Sequence, residues 1–546
     1  MEFLVKDVLV LIFTELLGDL DSLHSCSLVN KTWCELAMPL LWKNSYQCPY
    51  KYKKESREKY YNVIAHFLPN NPEDPLPQNK IVLPLNKFPK GPMLEYMNYI
   101  ALFTPACIED MVKLTINDEV EDSKYKKEIL ERELYKLSFI KCRNVKDFYW
   151  CTKEKLTLFP NAKRIFSNLH SLKIHHEKFI NSNTSLTELG KICQDLRDLD
   201  VRDCQKDTLD LALFIKIQKN LQSLCLAFDE EEGQYNLLSD VIKEKAATLK
   251  KISIRFNVTL ISPIVIPSLE NIQHLVLNNI CGESYRSAKW DEWEHNLSTA
   301  SFPNLQYLET LYLPISIIRL IIERSGKDIS EINICLCPPG SRDYKTDNKQ
   351  LIKAISIYCP KLKLLAMDID DRNLGEMFKI FLNCTQLEKV TFSTNANSNI
   401  PSDGDELLQV MNQTIPTTLH EITFREDWIF SLEELELFIE DWKSRNSSPI
   451  KFILVFDESL WTDDHAWMAE SLKEREIKRK GKGMGRTKGN GENERERGKR
   501  KGTGKTEGNG ENGRERGKRK GTGKTKGNGE NERERGKRKG TGERGK

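Results

Sequence analysis

The sequence has 546 residues, room for roughly three or four domains or one long repeat array, with 39% hydrophobic and 30% charged side chains. Its formal charge of +3 conceals two unlike pieces: residues 471–546 carry 28 Lys and Arg against 12 Asp and Glu, a balance of +16, which leaves 55 basic and 68 acidic residues in 1–470, a balance of −13. No run approaches the ~20 apolar residues of a membrane span, the opening MEFLVKDVLVLIF has neither the basic start nor the length of a secretory signal, and the fourteen cysteines form no CxxC pair or short disulfide-like framework; a cytoplasmic or nuclear chain with reduced thiols and no RING, zinc-finger or iron–sulfur centre is expected.

From Leu4 to Leu17 apolar residues stand at 4, 5, 8, 9, 11, 12, 13, 16 and 17, too many for one face of a helix solvated on its other side. A second helical stretch runs from Asp21 through Val29, and Asn30-Lys31-Thr32 breaks it before Trp33 begins a third. Three short helices in about forty residues bury too little to be comfortably stable alone, so a partner or the rest of the chain must complete their core. The pattern LVKDVLVLIF…SLHSCSLVNKTWCELAMPLLWKN resembles the F-box, through Leu4, Asp7, Leu9, Ile12, Phe13, Leu28, Val29, Trp33, Leu41 and Trp42. Val5 departs from it, standing where that family usually has proline. The resemblance implies docking on a Skp-type adaptor, and through it on a cullin-RING ubiquitin ligase, by Leu4, Val5, Leu9, Ile12, Phe13, Leu28, Trp33 and Trp42.

An F-box over 1–45 gives way to proline-rich connectors (NPEDPLPQNK, LPLNKFPKGP) and a helical stretch, read as a connector and cap over 46–132. From there one pattern recurs: apolar, two others, apolar, one other, apolar. It begins with Leu134-Leu137-Phe139 and Leu169-Leu172-Ile174, passes through Leu221-Leu224-Leu226, Leu308-Leu311-Leu313 and Ile329-Ile332-Ile334, and ends with Ile450-Ile453-Val455. About twelve units at spacings of 21 to 36 residues fill 133–457, which is the irregular period of leucine-rich repeats. Just past the strands stand side chains suited to bonding a turn, among them Cys142, Cys204, Asn257, Cys337 and Asn395, and helical segments such as DLALFIKIQ and QLIKAISIYCP lie between strands. The region resembles the repeats of F-box proteins of the fungal type. The fold class expected is therefore α/β: a short helical F-box, an irregular repeat solenoid, a C-terminal cap over 458–477, and a disordered tail.

Alternation along each strand sends the pattern residues inward and their neighbours to a concave face. That face is expected to bind the target through Asp198, Asp200, Arg202, Lys251, Arg255, His274, Glu331, Asn333 and Arg425, a set of mixed sign. An insert, GESYRSAKWDEWEH, brings Tyr285, Trp290 and Trp293, which are expected to fold back on the repeats.

Catalytic signatures are missing. His175-His176 has no further spaced ligands, Cys335-x-Cys337 sits on a repeat strand, and no nucleophile elbow, HExxH or dinucleotide loop occurs. GTGKT at 502–506 and 521–525 is not a phosphate-binding loop, because Lys499 and Lys518 occupy the position of its first glycine. From 478 the chain is a 19-residue repeat whose only large apolar residue is Met484, too little to offset chain entropy. Its Lys-Arg-Lys clusters suit nuclear import or weak, non-specific polyanion binding. The function expected is a substrate-recognition subunit of a Skp-cullin-F-box ligase, with no enzymatic activity, cofactor, metal or membrane contact of its own. The competing expectation is a non-enzymatic scaffold, or a nucleic-acid-associated repeat protein acting through its basic tail.

Overall fold

The computed structural model describes residues 6–43, 53–83, 92, 94–116, 122–180, 186–229, 233–279, 289–336, 348–369, 371–394, 402–425, 428–445 and 450–455. Leu4, Val5, Tyr285, Cys337, Asn395, the expected cap over 458–477 and the basic tail lie outside them. The chain divides into two units, Met1–Thr487 and Lys488–Lys546, and all the described residues belong to the first.

Three helices open the chain: Lys6–Glu15 (α1), Leu20–Ser27 (α2) and Lys31–Lys43 (α3). The boundaries follow from capping. Asp19 accepts from the Ser22 amide at 3.1 Å, and Asn30 accepts from the Trp33 amide at 2.9 Å, each supplying an acceptor to an otherwise unpaired helix N–H. Their shared core is small: Leu9, Phe13, Leu23 and Ala37, with Trp33 half-buried at its edge. The Trp33 ring meets Phe13 edge-on, centroids 5.2 Å apart. Trp42 belongs elsewhere. At the far end of α3 it enters the main core beside Tyr60 and Tyr96.

Beyond helix Lys54–Ala65 (α4) the architecture is dominated by one large sheet. Its strands are Leu102–Phe103 (β1), Asp147–Trp150 (β2), Ser171–His175 (β3), Asp198–Cys204 (β4), Ser223–Phe228 (β5), Lys251–Arg255 (β6) and His274–Asn278 (β7), followed by Tyr307–Leu311 (β8), Glu331–Cys335 (β9), Leu364–Ile369 (β10) and Lys389–Thr394 (β11). Ser402–Asp403 (β12) and Trp428–Ile429 (β14) pair with each other, while Glu421–Arg425 (β13) and Lys451–Val455 (β15) complete the main sheet. Among the described residues it has thirteen strands, all parallel, and each pairs with the sheet strand before and after it in sequence. Helices such as Leu209–Ile217, Asn236–Lys245, Ile315–Glu323 and Lys349–Tyr358 make the returns that parallel pairing requires. The inward residues Leu172, Leu199, Leu224, Ile252, Leu275, Leu308, Ile332, Leu365, Val390 and Ile422 are all buried and align across neighbouring strands.

Three of the expected units need correction. Leu134, Leu137 and Phe139 lie on helix Ser123–Lys141. The unit meant there is Val145-Phe148-Trp150, whose aromatic residues fill leucine positions and are buried. In β8 the register moves by three residues: Leu308 pairs with Leu275 and Thr310 with Leu277, so the unit is Leu305-Leu308-Thr310 and a threonine occupies a core position. In β15 it moves by one. Phe452 pairs with Ile422 and packs its ring on Phe424, 5.1 Å away, which places Ile453 on the opposite face. A one-residue shift along a strand exchanges its faces, so both slips also change which residues the polar face displays. The sheet likewise starts earlier than residue 133, because β1 pairs with β2.

Candidate functional site

The first candidate surface is the outside of α1 and α2. Phe13 has no exposed area and Leu9 retains 3%, whereas Leu11 is 68% exposed, Ile12 44% and Leu28 72%, with Val8 and Val29 also exposed. Exposed apolar side chains on a short helical module mark a candidate contact surface. Of the residues expected to meet an adaptor, Ile12 and Leu28 are exposed and Trp33 stands at the edge of the module's core. Leu9, Phe13 and Trp42 are buried in the chain's own cores, where they support the exposed apolar residues around them. Val8, Leu11 and Val29 were passed over. The surplus of apolar residues around α1 was the signal that could have found them.

The second candidate surface is the polar face of the sheet. Asp198, Asp200 and Arg202 lie on β4, Lys251 and Arg255 on β6, His274 on β7, Glu331 and Asn333 on β9, and Arg425 on β13, so the expected set is spread along one sheet and only β6 and β7 among these strands are neighbours. Arg425 sits three strands beyond the others. Several of these charges already have partners. Arg202 grips Asp200 with two N–H groups at 2.7 and 3.0 Å, and Lys173 approaches the same carboxylate at 4.0 Å. Arg255 donates to the Ser253 hydroxyl at 3.0 Å and faces Glu309 at 3.9 Å. Tyr307 also donates to Glu309, at 2.8 Å. Burial, with Lys251 nearby, pulls His274 below its ordinary range against the opposing influence of Glu331. Such side chains surrender little rotamer freedom when a partner arrives.

The misread register hid part of this surface. Tyr307 and Glu309 face outward only in the corrected register of β8, and Tyr149 belongs to the Val145-Phe148-Trp150 unit, in whose place the sequence pattern picks out a helix segment. The Tyr149 hydroxyl meets Nε2 of His175, whose Nδ1 meets Asp203. The His175-His176 pair is divided by the strand's end: His175 joins the polar face, while His176 is buried with Nε2 3.1 Å from Thr208 Oγ1. Trp293 is buried and Trp290 half-buried, their centroids 6.2 Å apart. Among the described residues no three His, Cys, Asp or Glu are grouped to hold a metal, and no helix is long and apolar enough to cross a membrane.

Comparison with known families places the first of these surfaces in a class. Residues 6–48 match the F-box-like family model, so the chain opens with an F-box-like domain formed by α1–α3. F-box domains bind Skp-type adaptors of cullin ligases, and an adaptor-binding role is what this domain suggests for the chain. No curated protein matches the sequence. Among solved structures, one similar chain comes from the crystal structure of a TLR13–ssRNA13 complex, at 12% identity and a TM-score of 0.22, over 60% of this chain and 35% of that one. The matched part thus spans about a third of that chain's length, and so loose a superposition carries no argument about fold or ligand.

Proposed function

We propose that the protein is a substrate-recognition subunit of a Skp-cullin-F-box ubiquitin ligase. The observation that carries this reading is the apolar surface of Leu11, Ile12, Leu28 and Val29 on an F-box-like domain, exposed beside a core that already holds Leu9 and Phe13. In this reading the adaptor covers that surface, and the parallel strands form a leucine-rich-repeat solenoid whose polar face binds the target protein. The chain performs no chemistry itself; the partner enzymes transfer ubiquitin. It works in the cytoplasm, the nucleus or both. The test is co-expression of the full chain with a Skp-type adaptor followed by gel filtration. Co-elution as a stoichiometric complex supports the reading, and separate elution leaves a scaffold role instead.

A further inference from the structure

The turn that ends β6 carries an aromatic ring that neither the backbone nor the core requires. Ile254 and Asn257 are both fully buried, so the chain must turn within Arg255 and Phe256, and Phe256 takes a φ of +74°. After β4 the same turn holds Asp203 at +51°, between the equally buried Val201 and Cys204. Aspartate is among the L-residues that enter the left-handed region most readily, whereas a bulky side chain there is an outlier. Phe256 gains little core in return, because it remains 53% exposed. Strained positions of this kind persist where the surroundings impose them, and they concentrate at functional sites.

The side chains nearby are already set. Glu309 on β8 accepts the Tyr307 hydroxyl at 2.8 Å and the Asn278 amide at 3.4 Å, and Arg255 stands 3.9 Å from it. Arg255 donates Nε–H to the Ser253 hydroxyl at 3.0 Å, which leaves the outer N–H groups of its guanidinium for a second carboxylate. Leu311, in register with Asn278, stands half-buried on the same face. The outward positions of β6 and β7 are Lys251, Ser253, Arg255, His274, Val276 and Asn278, two cations and no carboxylate.

We propose that Phe256 and Arg255 form the anchor point of the target-binding face, and that they take a target segment bearing an aromatic or long aliphatic side chain beside an Asp or Glu. The inference rests on the reading of this face as the target surface. The apolar side chain of the segment covers the exposed ring of Phe256, and its carboxylate accepts two N–H groups from Arg255. Aromatic and arginine side chains dominate interface energies, and those held in position beforehand lose least freedom on binding.

The experiment pans random linear peptides displayed on phage against the immobilised full chain, then titrates the synthesised consensus peptide by fluorescence polarisation. The consensus should place an aromatic or long aliphatic residue beside an acidic one, and Phe256→Asn and Arg255→Gln should each weaken it by about tenfold or more. Asparagine suits the left-handed turn, so the melting temperature of Phe256→Asn should match or exceed that of wild type. No such consensus, or one that Phe256→Asn binds equally well, would overturn the proposal. So would a fall in melting temperature as large as that of Leu308→Ala, which would make the ring structural. A chain that co-elutes with an adaptor but selects no such peptide keeps the ligase reading and loses this one, and a chain that selects the peptide but elutes apart from the adaptor loses only the ligase reading.

Discussion

Trp42 lies flat on Tyr60, ring centroids 4.6 Å apart and planes inclined by 28°, and Tyr96 approaches the same indole at 4.9 Å. The stack joins the last helix of the F-box-like domain to the core beneath the sheet, and the Ala101 amide reinforces it by donating to the Lys43 carbonyl at 3.2 Å. The end of α3 is thereby joined to the core beneath the sheet. The two tryptophans of α3 divide the work: Trp33 closes the small core and Trp42 anchors it to the large one.

Trp42→Ala is therefore expected to cost about 3–5 kcal/mol, the range for truncating a buried aromatic. Its signature is location: the loss should appear in the unfolding of the sheet region, with hydrogen exchange rising in α4 and around Tyr96, while the core of Leu9, Phe13 and Leu23 keeps its protection. Equal loosening of both cores would contradict the division.

Leu308 and Leu311 test the register of β8. Leu308 is buried opposite Leu275, and Leu311 stands half-buried on the polar face. Leu308→Ala should destabilise by roughly 2–5 kcal/mol and Leu311→Ala by no more than about 1 kcal/mol, compared by chemical denaturation. The reverse order would restore the register that the sequence pattern suggested.

The succession of parallel strands was legible because leucine, isoleucine and valine recur at strand spacing, and the pattern failed where other residues took over the same space. Phe148 and Trp150 fill aliphatic positions in β2, Thr310 puts a hydroxyl in the core, and Ile453 and Phe452 are both apolar, so hydrophobicity alone could not say which faces inward. Three residues of the expected adaptor surface lie in the chain's own cores. Leu9, Phe13 and Trp42 look like Ile12 and Leu28 in sequence, and only the packing of three helices against one another separates core from surface. The Tyr149–His175–Asp203 chain joins residues 26 and 28 positions apart, a relationship that requires the strand pairing to be known.

Two buried groups give the stability curve opposing slopes. Burial lowers His176 from 6.5 to about 4. Between those values the unfolded chain takes up a proton that the fold refuses, so stability falls as pH drops from 6.5 to 4. Burial raises Asp368 from 3.8 to about 6. Here the fold retains a proton that the unfolded chain releases, so stability falls as pH rises from 3.8 to 6. Each contribution is on the order of 3 kcal/mol. Relative to wild type, Asp368→Asn should steepen the gain in melting temperature from pH 4 to 6, and His176→Gln should flatten or invert it. Parallel curves for all three proteins would refute both assignments.

Asp110 is buried against Arg57 of α4 and accepts the Tyr61 hydroxyl at 2.5 Å. Removing one member of a buried pair strands the other's charge, at a cost of about 3–5 kcal/mol, so Asp110→Ala should destabilise far more than removal of the exposed pair partner Glu244, which meets Lys216 at 2.9 Å and should matter by less than about 1 kcal/mol. Thermal unfolding of the two variants side by side checks this.

The central claim is that the exposed apolar surface of α1 and α2 docks an adaptor, and calorimetric titration of a purified Skp-type adaptor into the full chain tests it most directly. Wild type should bind, Leu11→Asp combined with Leu28→Asp should lose at least about a hundredfold in affinity, as truncation at the centre of an interface does, and circular dichroism should show the double variant still folded because both side chains are exposed. An affinity unchanged by the two aspartates, or no binding by the wild-type chain, would contradict the account.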